Sequence, residues 1–345
     1  MAENIVRHEI VMGCVVKYVL HATQIEKNLL LQKKLSMKIL GIGNAIIDVI
    51  CKVDDNFINQ NNLTKSTMKL FFDENEFKSL LKNLKIEKTI SGGSIANSIV
   101  GLSQLGNEVG FIGKVSDDDF GEKYEDGLKK ENVKYFYSKK KEVLPTGTCL
   151  ILVTPDSERT MCTYLGVAGK ISDNDIESDL VRKAEITFLE GYLWDEGEPK
   201  KAFDKAIENS NKVAMSLSDL FCVERHKTHF LELAKNRLDI IFANEQEILS
   251  LINTNKFDEV ISFSKQLNKN IIITRGEKGS IAVIGNNVFE CAAKQNLKIK
   301  DLTGAGDLFA AGYLHGITNN LNIKESLNIG TELSSKIIQK IGARI

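Results

Sequence analysis

The chain has 345 residues, 43% of them hydrophobic, ample for one large core with an appendage. Its 45 basic and 46 acidic residues leave a net charge of -1, so no basic excess points to nucleic acid and no charged block to a membrane surface. Six cysteines (Cys14, Cys51, Cys149, Cys162, Cys222, Cys291) lack any Cys-x-x-Cys pair and read as free thiols of a reducing cytoplasm. No apolar run reaches the roughly 18 residues that a bilayer span needs.

Residues 1–36 stand apart. Val11-Met12-Gly13-Cys14 has the outline of a lipoprotein cleavage site, but Arg7, His8 and Glu9 interrupt the apolar region export requires. The stretch is expected to be a disordered extension or an upstream start, with the folded domain over 37–345. From Met37, short apolar runs alternate with helical periodicity. The runs are Ile39–Ile42, Ile47–Val53, Met68–Phe72, Val109–Ile112, Ile186–Leu189, Val213–Leu217, Ile240–Ala243, Ile271–Thr274 and Ile281–Ile284. Helical stretches are Ser94–Leu105, Phe120–Glu131, Pro199–Asn209, Glu224–Lys235, Glu245–Ile252 and Phe257–Leu267. Unbroken apolar runs suit parallel strands buried on both faces, and the alternation predicts an α/β layered domain. Ligands of such sheets gather at the carboxyl ends of strands.

Two segments break the alternation, 49–72 and 147–166. They carry strand-like runs, Cys149–Val153 and Thr160–Tyr164 among them, and predict a small antiparallel flap without helix. A closing flap would exclude water from a phosphoryl-transfer site.

The stretch Lys300-Asp301-Leu302-Thr303-Gly304-Ala305-Gly306-Asp307 lies between an apolar run, 296–299, and a periodic one, 308–317. It reads as strand, tight turn, helix. Gly304 and Gly306 let a ligand approach the main chain, and the N–H groups of Ala305, Gly306 and Asp307 would face an anion at the helix N-terminus. Asp307 would then serve a second reactant, taking a proton from a hydroxyl while the amides hold the transferred group. Taken alone, the turn reads more as a capped helix with small residues for packing.

Other motifs divide into an acceptor side and a donor side. Ser91-Gly92-Gly93-Ser94-Ile95-Ala96-Asn97 opens a helix, and Asn97 offers a donor and an acceptor to a polyol; the plain alternative is a glycine turn with Ser94 as cap. Asp48, among apolar neighbours, requires hydrogen-bond donors, either sugar hydroxyls or turn amides. Asn244-Glu245-Gln246-Glu247 is either a helix cap or a place where Glu247 reaches a hydrated Mg²⁺ through water. Thr274-Arg275-Gly276-Glu277-Lys278-Gly279 lines a triphosphate or forms a hairpin loop. Walker spacing is absent, and Gly41-Ile42-Gly43 lacks the third glycine of a dinucleotide fingerprint, which disfavours an oxidoreductase. Cys222, His226 and His229 share a helical face without an evident fourth ligand, and a surface helix is the expected reading.

Taken together, these motifs resemble the ribokinase-like (PfkB) family of carbohydrate and nucleoside kinases, over essentially all of 37–345. The resemblance rests on Gly92-Gly93-x-x-x-Asn97 and Asp301-x-Thr303-Gly304-Ala305-Gly306-Asp307, in order and about 200 residues apart. It implies a three-layer α/β/α domain with a mainly parallel central sheet and a small β-sheet lid. By the same resemblance Asp307 is the catalytic base, and Gly304, Ala305 and Gly306 form the anion hole. Asn244 and Glu247 support Mg²⁺ and phosphate, and Thr274, Gly276 and Gly279 form the nucleotide loop. ATP is the implied donor. Leu302 departs from the family pattern, which leaves a monovalent-cation site beside Asp301 open. Gly43-Asn44-x-x-x-Asp48 is similar to the adenosine kinase branch, where the Asn meets the purine side and the Asp grips the ribose. The implied reaction is phosphorylation of adenosine to AMP in purine salvage, with Arg159 on the flap as an added phosphate contact. The partner is a small nucleoside or sugar, the assembly a monomer or a lid-mediated homodimer. Two alternatives stand: a sugar kinase acting on ribose or a ketose, and a non-catalytic nucleoside- or sugar-binding protein.

Overall fold

The computed structural model describes residues 37–156, 158–194 and 197–345. The expectations for 1–36 lie outside the described residues. Seven strands come first: β1 (Met37–Ile42), β2 (Ile46–Lys52), β3 (Met68–Phe71), β4 (Ile86–Gly92), β5 (Val109–Ile112), β6 (Lys134–Tyr135) and β7 (Gly147–Val153). There follow β8 (Arg159–Tyr164), β9 (Ala184–Glu190), β10 (Val213–Ser216), β11 (Ile240–Asn244), β12 (Asn270–Thr274), β13 (Ser280–Ile284) and β14 (Asn287–Cys291).

Nine strands form one sheet in the order β14-β13-β12-β11-β10-β9-β1-β5-β6. Pairing is parallel from β6 to β12, and antiparallel only for β12–β13 and β13–β14 at one edge. Side chains alternate between two cores, as the strand period of two requires. Ile240 and Phe242 join the core under helices Ser94–Gln104, Ala305–Thr318 and Ile323–Ile337. Ile241 and Ala243 join the other, under helices Glu198–Asn209, Leu220–Asn236 and Phe257–Leu267. The result is the three-layer α/β/α domain expected from the sequence.

The second sheet has the order β3-β8-β7-β2-β4. It is mixed rather than antiparallel: β2 pairs parallel with β7, and β3 with β8. Its segment 49–72 also holds a helix, Asp55–Gln60, started by Asp54, whose Oδ1 accepts from Phe57 N–H at 2.8 Å. The sequence reading placed no helix there. Another expected element is missing: 296–299 forms no strand, and the chain runs irregularly until Lys300 N–H donates to Ile338 O at 2.8 Å.

Two short connections join the sheets and set up the site. Gly43-Asn44-Ala45 carries the chain from β1 in the large sheet to β2 in the small one, and Gly92-Gly93 carries it back from β4 to helix Ser94–Gln104. Gly93 has φ +98°, and a Cβ there would lie 2.2 Å from Asn44 O, so the two connections touch backbone to backbone.

Candidate active site

The carboxyl ends of β1, β9, β11 and β12 converge on one side of the large sheet, presenting Asn44, Glu190, Asn244 and Thr274. The turn before helix Ala305–Thr318 completes the arrangement. Gly304 adopts the left-handed conformation at φ +79°, and Leu308 N–H closes the first helical turn on Gly304 O at 2.9 Å. Ala305 N–H is not free, because it donates to Leu302 O at 3.2 Å. That corrects one member of the expected amide set; the N–H groups of Gly306 and Asp307 have no partner among the described residues. Beside Gly306 nothing lies within 4 Å of a would-be Cβ, so the approach to those amides is open.

Asp307 is held by the helix that begins at Ser94. Ser94 Oγ donates to Oδ1 at 2.6 Å and Asn97 Nδ2 to Oδ2 at 3.0 Å, while Ser98 Oγ donates to the Asp307 carbonyl at 2.9 Å. Enclosure by protein pushes the Asp307 carboxyl up to about 6, against the opposing pull of Ser94, Asn97 and the Arg344 charge. A base poised there is ionised at neutral pH yet still basic enough to accept a proton. Asn97, expected to grip a polyol, also bridges two charged groups, its Oδ1 accepting from Arg344 Nε at 3.1 Å.

On the acceptor side, Asp48 lies on β2 against Gly92, where a Cβ would come within 2.5 Å of its Oδ2. The Asp48 carboxylate accepts no hydrogen bond from the described residues. Burial raises it to about 7, and Arg344 and Arg159 oppose the rise. Asn44, 1% exposed, donates from Nδ2 to Glu190 Oε1 at 2.8 Å and keeps a buried Oδ1 without a partner. Glu190 Oε2 accepts from Ile95 N–H at 3.1 Å, and burial pushes that carboxyl up to about 7. Glu190 was missed in the sequence. Its signal was there: a carboxylate closing the apolar run 186–189, costly unless it is used.

Arg159, at the start of β8, and Asp301, in the irregular segment before the turn at Gly304, meet at 2.8 Å, both nearly buried. Asp301 also accepts from Thr303 N–H and Oγ1 and from Gly342 N–H, which together with the arginine hold it below the usual carboxylate range. A cation therefore already stands beside Asp301, the Arg159 guanidinium, whose Nη2 remains buried and unpaired.

On the donor side, Asn244 and Glu247 form a complete capping box. Glu247 N–H donates to Asn244 Oδ1 at 2.9 Å, and Glu247 accepts from Asn244 N–H at 2.9 Å and from Nδ2 at 2.6 Å. Burial and the nearby Asp219 charge push Glu247 up to about 7, a concentration of negative charge that a hydrated divalent cation would relieve. Both Glu247 oxygens accept within the cap, and among the described residues no three His, Cys, Asp or Glu side chains gather to hold a metal ion, so Glu247 could reach Mg²⁺ only through water. Gly276 and Gly279 take φ +56° and +89° in the loop after Thr274. Arg275 and Lys278 tie that loop to Glu245 at 3.0 and 3.2 Å.

The Cys222, His226 and His229 group is a packing feature, and not wholly on the surface. Cys222 and His226 are buried, and Trp194 lies 4.7 Å from each imidazole ring. His315 sits away from the turn, its Nδ1 2.8 Å from Asn107 Nδ2. No helix among the described residues is long and apolar enough to cross a membrane.

Comparison with known proteins places the fold in a family. The sequence pattern of the pfkB family carbohydrate kinases matches residues 38–345. The crystal structure of adenosine kinase from Sinorhizobium meliloti superimposes with TM-score 0.81 at 35% identity, over 90% of this chain and 96% of that one. A probable sugar kinase protein from Rhizobium etli gives TM-score 0.80 at 34% identity, over 89% and 94%. A 5-dehydro-2-deoxygluconokinase of Clostridium botulinum is 26% identical over 278 residues, 75% of this chain and 81% of that protein.

Proposed function

Because the chain belongs to the pfkB family of carbohydrate kinases and is a phosphotransferase with an alcohol acceptor, we propose that it transfers the γ-phosphoryl group of ATP to the 5′-hydroxyl of a nucleoside, adenosine first among them. The observation that carries this reading is the Asp48 carboxylate, half-buried against Gly92 and without a hydrogen-bond donor among the described residues. Two adjacent ribose hydroxyls would supply both missing donors. The unpaired Oδ1 of Asn44, fixed by Glu190, would accept from a purine N–H. Likeness to the Sinorhizobium adenosine kinase supports the same acceptor.

In this mechanism Asp307 takes the 5′-O–H proton as the oxygen attacks the γ-phosphorus. The new O–P bond forms as the bond to the β-phosphate oxygen breaks, and its electron pair leaves with ADP. The amides of Gly306 and Asp307 face the charge on the transferred group, and Gly304 supplies the turn that aims them. Thr274, Gly276 and Gly279 would line the donor phosphates. Glu247, with Asp219 nearby, would hold hydrated Mg²⁺, which supplies neutralising charge to the phosphates. In a reducing cytoplasm the reaction would return adenosine to AMP, a purine-salvage step.

A second reading, phosphorylation of a sugar, draws on the likeness to the Rhizobium and Clostridium proteins. An ADP-release assay of the purified protein with adenosine, inosine, guanosine, ribose and fructose tests both. Release with adenosine is expected; release with the sugars alone would overturn the nucleoside assignment, and none with any acceptor would favour a binding protein.

A further inference from the structure

Arg344 enters the site from the segment after helix Ile323–Ile337. Gly342 N–H donates to Asp301 Oδ2 at 2.8 Å, and Ala343 packs so tightly on the anion turn that a Cβ on Gly304 would lie 2.7 Å from Ala343 Cα. These contacts fix the backbone that delivers the side chain. Arg344 Nε then donates to Asn97 Oδ1 at 3.1 Å, and Asn97 Nδ2 donates to Asp307 Oδ2 at 3.0 Å. A guanidinium only donates and a carboxylate only accepts, so the amide between them has one orientation. Arg344 Nη2 is left buried without a hydrogen-bond partner, in the field of Asp48 and Asp307. A buried unpaired donor on a charged group is costly, and a bound oxygen would satisfy it.

We propose that Arg344 is a positioning residue of the phosphoryl-transfer site, which holds Asn97 in the orientation that presents its N–H to Asp307 and donates from Nη2 to an oxygen of the bound alcohol acceptor. The inference rests on the acceptor assignment above. Lysine cannot replace both functions, since only the planar fork anchors Asn97 and leaves a second directed donor.

The test is steady-state kinetics of the wild type, R344K and R344Q from pH 5 to 9, varying acceptor and ATP separately. R344Q should raise the acceptor KM roughly 10-fold or more, the usual loss for a charge-assisted hydrogen bond, and leave the ATP KM unchanged. It should also move the acidic limb of kcat/KM to higher pH. Asp307 faces Arg344, with Glu190 and Tyr192 also in its field, and Asp48 faces Arg344, Arg159 and Asp307. Only Arg344 changes in the variant. R344K should restore the limb through its charge while the acceptor KM stays high. Wild-type acceptor KM and an unmoved limb in both variants would overturn the proposal. If a thermal melt shows R344Q unfolded, R344K decides alone, and a wild-type acceptor KM there overturns it. Failure of the wild-type protein to phosphorylate any nucleoside or sugar would sink the acceptor assignment and this inference together, whereas normal wild-type turnover with unmoved variants sinks only Arg344.

Discussion

At Asp307 the protonation state sets the pH range of the reaction. Its carboxyl is raised to about 6, so the base form is present above that pH and is lost below it. kcat, read with the acceptor saturating so that its hydroxyls hold Asp48 ionised, is expected to fall tenfold per pH unit on the acid side of a limb near 6, measured by ADP release. Asp307→Asn should remove the limb and cut turnover about 10²–10⁴-fold, with ATP affinity retained in a titration; near-normal turnover would show that the base lies elsewhere. Asp48→Asn should instead raise the acceptor KM and leave that of ATP alone. How far such residues can be read from sequence depends on chain distance. Asp307 and the glycines beside it announce themselves because a turn and the helix it starts are written in adjacent residues. Glu190 does not, since its partner Asn44 is 146 positions away. Arg344 acts on Asn97 across 247 positions, a contact that only the folded chain brings about. Asn97 was legible as a polar group at the site but not as a bridge, because its partners come from two distant segments.

The turn before helix Ala305–Thr318 separates two kinds of glycine. Gly304 has positive φ and Ala343 pressed against it, so Gly304→Ala should lower stability by about 1–3 kcal/mol, seen as a drop in Tm. Gly306 has ordinary φ and open space, so Gly306→Ala should leave Tm unchanged while the added methyl beside the free amides raises the KM for ATP. Equal losses of Tm in both variants would contradict this division. Elements were legible in the sequence where both faces are buried. Strands β1, β9, β10, β11 and β12 are nearly continuous apolar runs because helices cover them on each side. β4 and β14 escaped detection because they lie at sheet edges and half their residues face solvent, Ile86 and Val288 among them. Helix Ile323–Ile337 was passed over although its Asn322–Glu325 capping box is a start signal, and it sits so close to its neighbour that a Cβ on Gly312 would lie 2.6 Å from Gly330 N. The run 296–299 misled because apolar content was counted without a strand for it to pair with.

For the molecule as a whole, the gathered carboxylates invert an ordinary pH trend. Asp48 and Glu190 are raised to about 7 and Asp307 to about 6, from ordinary values of 3.8 to 4.5. The folded protein therefore holds more protons than the unfolded chain between those limits, and the stability they contribute is lost as pH rises through 6 to 7. The Tm of the ligand-free protein should fall by several degrees between pH 5 and pH 8, and Glu190→Gln should flatten the slope; a Tm that climbs over that range would refute the assignment. The chain also contains a single tryptophan, Trp194, four residues beyond Glu190 and in ring contact with His226 and His229. An imidazole touching an indole quenches its emission, and more strongly once protonated. The protein thus carries one intrinsic fluorophore, buried against helix Leu220–Asn236, and its emission intensity can follow the packing of that core with no label attached.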